Sequence, residues 1–172
     1  EIKPLNIDNK PYFVDKMPGN YLFVSLIKAA LPWSKIIHCK RNPMDTCLSI
    51  YTKKFVADFH AFYSLDGLAR SYISYNDLMH HWYNKFGENI IFDVTYEKLL
   101  DNPEEKVRGL LSYLGLEYED NCLEFYKNER FVKTASSVQV RKKLYNTSVE
   151  RWKNYEQQLT PLYKELKKAK II

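Results

Sequence analysis

The 172-residue sequence predicts an α/β domain, a small parallel sheet with helices around it. Two compact apolar runs carry much of that reading. Lys35-Ile36-Ile37-His38-Cys39 and Asn89-Ile90-Ile91-Phe92-Asp93-Val94 have the near-continuous hydrophobicity of strands buried on both faces. Each is followed by a helix-start signal, Asn42-Pro43 after the first and Asn102-Pro103 after the second. A long stretch of helical periodicity lies between them and supplies the crossover that parallel strands need.

Taken in order, the first ten residues are a lead-in without periodicity. Tyr12-Phe13-Val14 is a short apolar run that predicts a first strand, with a loop at Met17-Pro18-Gly19. Asn20 is a cap for a helix over 21–30, whose Leu22, Phe23, Leu26, Ile27 and Ala30 share a face and which Pro32 stops. The run ending at Cys39 is the second strand, and Asn42-Pro43 opens a helix to about residue 54. Residues 55–64 are aromatic and irregular. Asp66 then opens a long helix, with Leu68, Tyr72, Tyr75, Met79, Trp82 and Phe86 in a stripe ended by Gly87. A coiled coil would show the same stripe, but its length of about three heptads favours a core-facing helix. The third strand runs into Thr95-Tyr96-Glu97, and a helix follows from Asn102-Pro103 to Gly115. A short helix over 119–127, a loop over 133–145 and a terminal helical region from 148 to about 170, interrupted near Thr160-Pro161, complete the chain.

Composition narrows the class. With 45% hydrophobic and 27% charged residues the chain is globular, and its length fits a single domain over residues 1–172. The net charge of +5 suits an anionic ligand such as a nucleotide. The basic residues form no aromatic-interleaved stripe, so nucleic acid is not the expected partner. No stretch is long and apolar enough to cross a membrane. Cys39, Cys47 and Cys122 have no regular spacing, which argues against disulfides and zinc and reads as free thiols in a reducing, cytoplasmic setting. His60, His80 and His81 lack metal spacing, so no metal is expected, and His38 inside a strand reads as a satisfied core residue.

Ligands of open α/β sheets sit beyond the carboxyl ends of the strands. Asp15-Lys16, Lys40-Arg41 and Tyr96-Glu97 each follow a predicted strand and offer a cation or a hydroxyl there. Arg41 precedes a helix N-terminus, where free amides and the helix dipole favour an anion, and its guanidinium can hold a phosphate in two bonds. Ser49 lies eight residues on, roughly two turns, and can donate to the same phosphate.

The run Arg41-Asn42-Pro43-Met44-Asp45-Thr46-Cys47-Leu48-Ser49 resembles the 3′-phosphate-binding motif of sulfotransferases that use 3′-phosphoadenosine-5′-phosphosulfate (PAPS). The wider run from Asp15-Lys16-Met17-Pro18-Gly19-Asn20 to Ser49 looks like the branch associated with tetratricopeptide-repeat sulfotransferases and, more distantly, tyrosylprotein sulfotransferases. Thr95-Tyr96-Glu97, Thr134-Ala135-Ser136-Ser137-Val138-Gln139-Val140-Arg141 and Arg151-Trp152-Lys153-Asn154-Tyr155 extend the resemblance over nearly the whole chain.

The resemblance implies a P-loop-NTPase-like parallel sheet flanked by helices and transfer of a sulfuryl group from PAPS to a hydroxyl acceptor, without a metal. It places Arg41 and Ser49 on the 3′-phosphate, the Tyr96 hydroxyl on the nucleotide, Arg151 over the phosphates, and Ser136 beside the cofactor near the reaction centre. It places Lys16 facing the transferring group, where a fixed ammonium would stabilise charge building on the leaving oxygen.

The 5′-phosphosulfate loop of complete sulfotransferases does not occur in these residues, so the chain reads as a C-terminal portion whose partner is a preceding segment with that loop. No residue takes the general base's role by motif. The alternative reading is a non-catalytic nucleotide-binding or interaction module derived from the same fold. A nucleotide kinase is disfavoured, because no Gly-rich loop with Lys-Ser/Thr occurs. The acceptor stays open among tyrosyl, carbohydrate, lipid and small hydroxyl compounds, with the aromatic stretch 55–63 as the candidate selector.

Overall fold

A computed structural model describes residues 11–53, 60–87, 89–128 and 141–172. The chain divides into two compact units, Glu1–Ser34 and Lys35–Ile172.

In the first unit a 3-10 helix, Pro18–Phe23, runs into helix α1, Val24–Ala30. Pro18 occupies the first helical position, where its missing N–H costs nothing. The helix therefore begins before Asn20, whose side chain donates to Asp15 Oδ2 at 2.9 Å instead of capping. The Leu31 amide still bonds to the Ile27 carbonyl at 2.8 Å, and Pro32 then ends the helix as expected. The Lys28 ammonium donates to the Ser34 carbonyl at 2.8 Å and so ties down the exit. The strand expected at residues 12–14 does not form. Tyr12, Phe13 and Val14 are exposed, and among the described residues none pairs with them. Three apolar residues in a row make a strand only when a second backbone satisfies their amides and carbonyls.

The second unit holds a parallel pair, β1 (Ile36–Lys40) and β2 (Ile91–Thr95), in the register Ile36 with Ile91 through Lys40 with Thr95. Helices α2 (Pro43–Tyr51) and α3 (Leu65–Phe86) form the crossover between them. The described fold is thus mixed α/β, a small two-stranded parallel sheet flanked by helices. Pleating puts Ile36, His38, Lys40, Asp93 and Thr95 on one face, and α3 lies against it through Tyr75 and Tyr83. Phe92 points to the other face and stacks on Tyr113, with ring centroids 5.0 Å apart. Tyr113 belongs to α5, Pro103–Leu114, and its hydroxyl donates to the Ile90 carbonyl at 2.7 Å.

The main core lies beside the sheet. Met44, Cys47 and Leu48 of α2, Leu68 and Ala69 of α3, and Leu159, Leu162 and Leu166 of α6 (Glu156–Lys168) are buried against one another. The α3 stripe is core-facing as expected, with Leu68, Met79 and Trp82 buried and Tyr72, Tyr75 and Phe86 half-buried. Ser64 caps α3 by accepting from the Gly67 amide at 3.0 Å. Gly87 and Gly115 end α3 and α5 with φ of 77° and 72°, values at which a Cβ is strained.

Three expectations shift. Thr95-Tyr96-Glu97 is a strand end that passes straight into helix α4, Tyr96–Asp101. The Asn102 side chain does not cap α5; its Nδ2 donates to Glu105 Oε2 at 2.6 Å. The terminal helix runs through Pro161 without a break, and the irregularity lies earlier, where a 3-10 helix, Arg151–Tyr155, gives way to α6. Proline removes one bond, to Gln157, and burial of Leu159, Leu162 and Leu166 outweighs it. The short helix expected over 119–127 is a 3-10 helix, Asp120–Lys127. Most of the expected loop over 133–145 lies outside the described residues.

Candidate functional site

The carboxyl ends of β1 and β2 open onto a cleft of about 370 Å³, lined among others by Lys40, Arg41, Asn42, Thr95, Glu97 and Glu150. This is the place that the strand-to-helix logic of the sequence pointed to. The cleft is built from a turn, a cap and a clamp.

The turn between β1 and α2 carries Arg41. Its guanidinium donates through Nη2 to the Ser148 carbonyl and lies 4.0 Å from Asp45 Oδ2. Its Cζ is 5.7 Å from the centre of the Tyr96 ring, a cation–π approach that links the ends of the two strands. Arg41 Nε is buried and has no hydrogen-bond partner among the described residues. A buried N–H left without an acceptor is costly, so this atom marks unused capacity for an anion.

The cap is Asn42. Its Oδ1 accepts from the amides of Met44 at 2.9 Å and Asp45 at 3.2 Å, while its carbonyl takes the Thr46 amide at 2.9 Å. Pro43 has no amide, and the Asn42 amide donates to Glu97 Oε1 at 2.9 Å. The first turn of α2 therefore has its donors satisfied internally, which corrects the expectation that free helix amides would meet the ligand. Attraction for an anion rests on the side chains of Lys40 and Arg41.

The clamp is Asp45, only 1% exposed. Its carboxylate accepts from the Glu150 amide at 2.7 Å and the Trp152 amide at 3.0 Å. Glu150 adopts φ of 56°, in the left-handed region that non-glycine residues avoid. Its carboxylate pairs with Lys153 at 2.7 Å. Sequence reasoning missed Asp45, although it stands inside the motif. Its signal is the (i, i+4) spacing to Arg41, one helical turn.

Beneath Lys40 lies a polar cluster. Lys40 Nζ pairs with Asp93 Oδ2 at 3.1 Å, and Asp93 Oδ1 accepts from the Tyr83 hydroxyl. His38 Nδ1 is 2.7 Å from the Tyr83 hydroxyl and 3.1 Å from Asp93 Oδ1, and its Nε2 meets the Tyr75 hydroxyl. With the Tyr83 proton given to Asp93, Nδ1 must donate, and in the neutral imidazole Nε2 then accepts from the Tyr75 hydroxyl. Burial holds His38 below its ordinary pKa of 6.5, against the opposing pull of Asp93. Burial pushes Asp93 up, but bonds from Tyr83 and Lys40 outweigh it and hold the carboxyl below its ordinary 3.8. Burial, and then the bond to Asp93, push the Tyr83 phenol well above its usual range. His38 is thus a satisfied, mostly buried residue, as its position in a strand suggested.

Of the residues singled out in the sequence, Arg41 and Tyr96 come together, and Arg41 lines the cleft while the Tyr96 ring lies against its guanidinium. The Tyr96 hydroxyl donates to the Tyr145 carbonyl at 2.7 Å. Arg151 is exposed and sits between the two amides that Asp45 binds. Ser49, half-buried one turn beyond Asp45, is not among the residues lining the cleft. Lys16 is an exposed residue of the first unit, and Ser136 lies outside the described residues. Among the described residues no group of three or more His, Cys, Asp or Glu side chains could hold a metal ion, and no helix is long and apolar enough to cross a membrane.

A cleft beyond the carboxyl ends of a parallel strand pair is where open α/β sheets place their ligands. The family model of the sulfotransferase family matches residues 5–120, about two thirds of the chain, so the chain belongs to the sulfotransferase family. A relative from Aquifex aeolicus (strain VF5), described as an uncharacterized protein, is 39% identical over 162 residues. That match covers 92% of this chain and 21% of the relative, so the chain spans about a fifth of the length of the protein it resembles.

Proposed function

We propose that this chain forms the 3′-phosphate and nucleotide-binding part of a sulfotransferase that transfers a sulfuryl group from PAPS to a hydroxyl acceptor. The observation that carries the reading is the Arg41 guanidinium at the end of β1, with a buried Nε that lacks an acceptor among the described residues. Membership of the family supports a sulfotransferase-type domain and transferase activity. The motif from Arg41 to Ser49 supports PAPS as the donor and the P-loop-like form of the fold, and the segments around Lys16 and Tyr96 support the tetratricopeptide-repeat and tyrosylprotein branch.

In this reading Arg41 holds the 3′-phosphate, with Tyr96 backing its guanidinium and Lys40 adding positive charge beside it. Ser49, Arg151 and Ser136 are the further cofactor contacts, and Lys16 is the cation for the reacting end. When bound, PAPS supplies the sulfuryl group, whose departure leaves charge on a phosphate oxygen. Transfer itself is assigned to the longer protein, with a phosphate loop that these residues do not contain.

Calorimetric titration with adenosine-3′,5′-bisphosphate, with adenosine-5′-monophosphate as control, tests the reading. The bisphosphate binds more tightly, and Arg41→Ala lowers its affinity on the order of 10- to 100-fold, the loss expected for charge-assisted hydrogen bonds. Equal affinity for the two nucleotides, or an Arg41→Ala protein that binds unchanged, removes the site assignment.

A further inference from the structure

Asp45 is the most deeply buried charge described, and nothing in the motif reading uses it. Two observations show that it shapes the cleft. Its carboxylate accepts from two amides of one turn, Glu150 and Trp152, at 2.7 and 3.0 Å. Glu150, which supplies one of those amides and lines the cleft, is held at φ of 56°. A left-handed glutamate costs about 1–2 kcal/mol, and its amide bond to Asp45 is a visible compensation.

The same turn reaches back to Arg41. The Ser148 carbonyl accepts from Arg41 Nη2, and Asp45 Oδ2 lies 4.0 Å from the same nitrogen. Arg151 rides on the turn between the two clamped amides. One buried carboxylate therefore sets where the Ser148 acceptor stands, how Arg41 is aimed and where Arg151 leaves the backbone.

We infer that Asp45 is a positioning residue for 3′-phosphate recognition: by clamping the turn 148–152 to the start of α2 it orients Arg41 and Arg151 as a pair. The inference rests on the proposed nucleotide site. Asp45→Asn is the informative change, because it keeps the shape and replaces one acceptor oxygen by an NH2 group that faces a backbone N–H. One of the two amide bonds is lost, and the turn is free to leave the left-handed conformation.

The test is the ratio of affinities for adenosine-3′,5′-bisphosphate and adenosine-5′-monophosphate, measured by calorimetry on the whole chain for wild type, Asp45→Asn, Arg41→Ala and the double variant. A loss of fold alone would weaken both nucleotides together and leave the ratio unmoved. Positioning predicts that Asp45→Asn lowers the ratio about tenfold and that the double variant is no worse than Arg41→Ala. Asp45→Asn keeping the ratio while Arg41→Ala loses it overturns the inference, as do losses that multiply in the double variant. Arg41→Ala keeping the ratio overturns the proposed site instead. Amide hydrogen exchange of the wild type gives a readout that does not depend on a folded variant. The Glu150 and Trp152 amides exchange slowly without ligand and more slowly with the bisphosphate; exchange at the rate of open chain for both refutes the clamp.

Discussion

Two glycines in helices should respond to the same substitution with opposite signs. Gly67 sits in the first turn of α3 and Gly109 in the middle of α5. Helix propensity alone favours alanine over glycine by about 1 kcal/mol at both. A Cβ on Gly109 would find one neighbour, Phe92 Cζ at 3.8 Å, an ordinary contact. A Cβ on Gly67 would stand 2.3 Å from the Ala61 carbonyl oxygen and 2.8 Å from Ser64 Oγ. The oxygen belongs to backbone and cannot swing away as a side chain does. Ser64 Oγ is the cap of α3, so moving it breaks the bond to the Gly67 amide. Overpacking costs about 1–3 kcal/mol and a lost cap about 1 kcal/mol, which together exceed the propensity gain. Gly109→Ala therefore stabilises the protein by about 0.5–1 kcal/mol, and Gly67→Ala destabilises it by about 1–3 kcal/mol. Denaturant unfolding followed by circular dichroism reads both. A Gly67→Ala protein as stable as wild type would refute the close approach of residues 60–64 to α3 that the steric reasoning rests on.

Two further outcomes follow from groups near the sheet and in the core. His38 is held below its ordinary 6.5, so between that value and its folded pKa the unfolded chain binds a proton that the folded chain refuses. Its contribution to stability is complete above 6.5 and falls as pH drops below it, by at most about 1.4 kcal/mol per pH unit. Urea titrations at pH 7 and pH 5 should show that loss in wild type and a smaller one in His38→Gln; equal slopes would mean that His38 is not held neutral. Asp93 adds its own loss only below 3.8, outside that window. Cys47 has no exposed surface, and burial pushes its thiol up to about 12. Iodoacetamide at pH 8 should leave Cys47 unmodified in the native protein and alkylate it in denaturant, as read by peptide mass spectrometry; equal labelling in both would contradict the burial of α2 in the core it shares with α3 and α6.

Local chemistry made much of the second unit legible from residues alone. The run 35–39, the pair Asn42-Pro43, the stripe from Leu68 to Phe86 and Gly115 each specify an element through bonds within a few residues, and each element formed. Because strand ends and helix starts are local, the position of Arg41 at the mouth of a β–α turn followed directly. Tyr12-Phe13-Val14 misled because a strand is a property of a pair of backbones, and Pro161 misled because three buried leucines outweigh one missing hydrogen bond.

The sequence by itself therefore determined the mixed α/β class, the main elements of the second unit, and the place of Arg41 at the end of β1. Only the tertiary structure decided how that arginine is held. Asp45 and Glu150 are separated by 105 residues, as are the backbone and side chain that join them. Arg41 reaches Ser148 across 107. His38 and Asp93 become partners only because the parallel register sets them side by side. Contacts of that kind depend on chain closure and burial, and no local pattern of residue types encodes them.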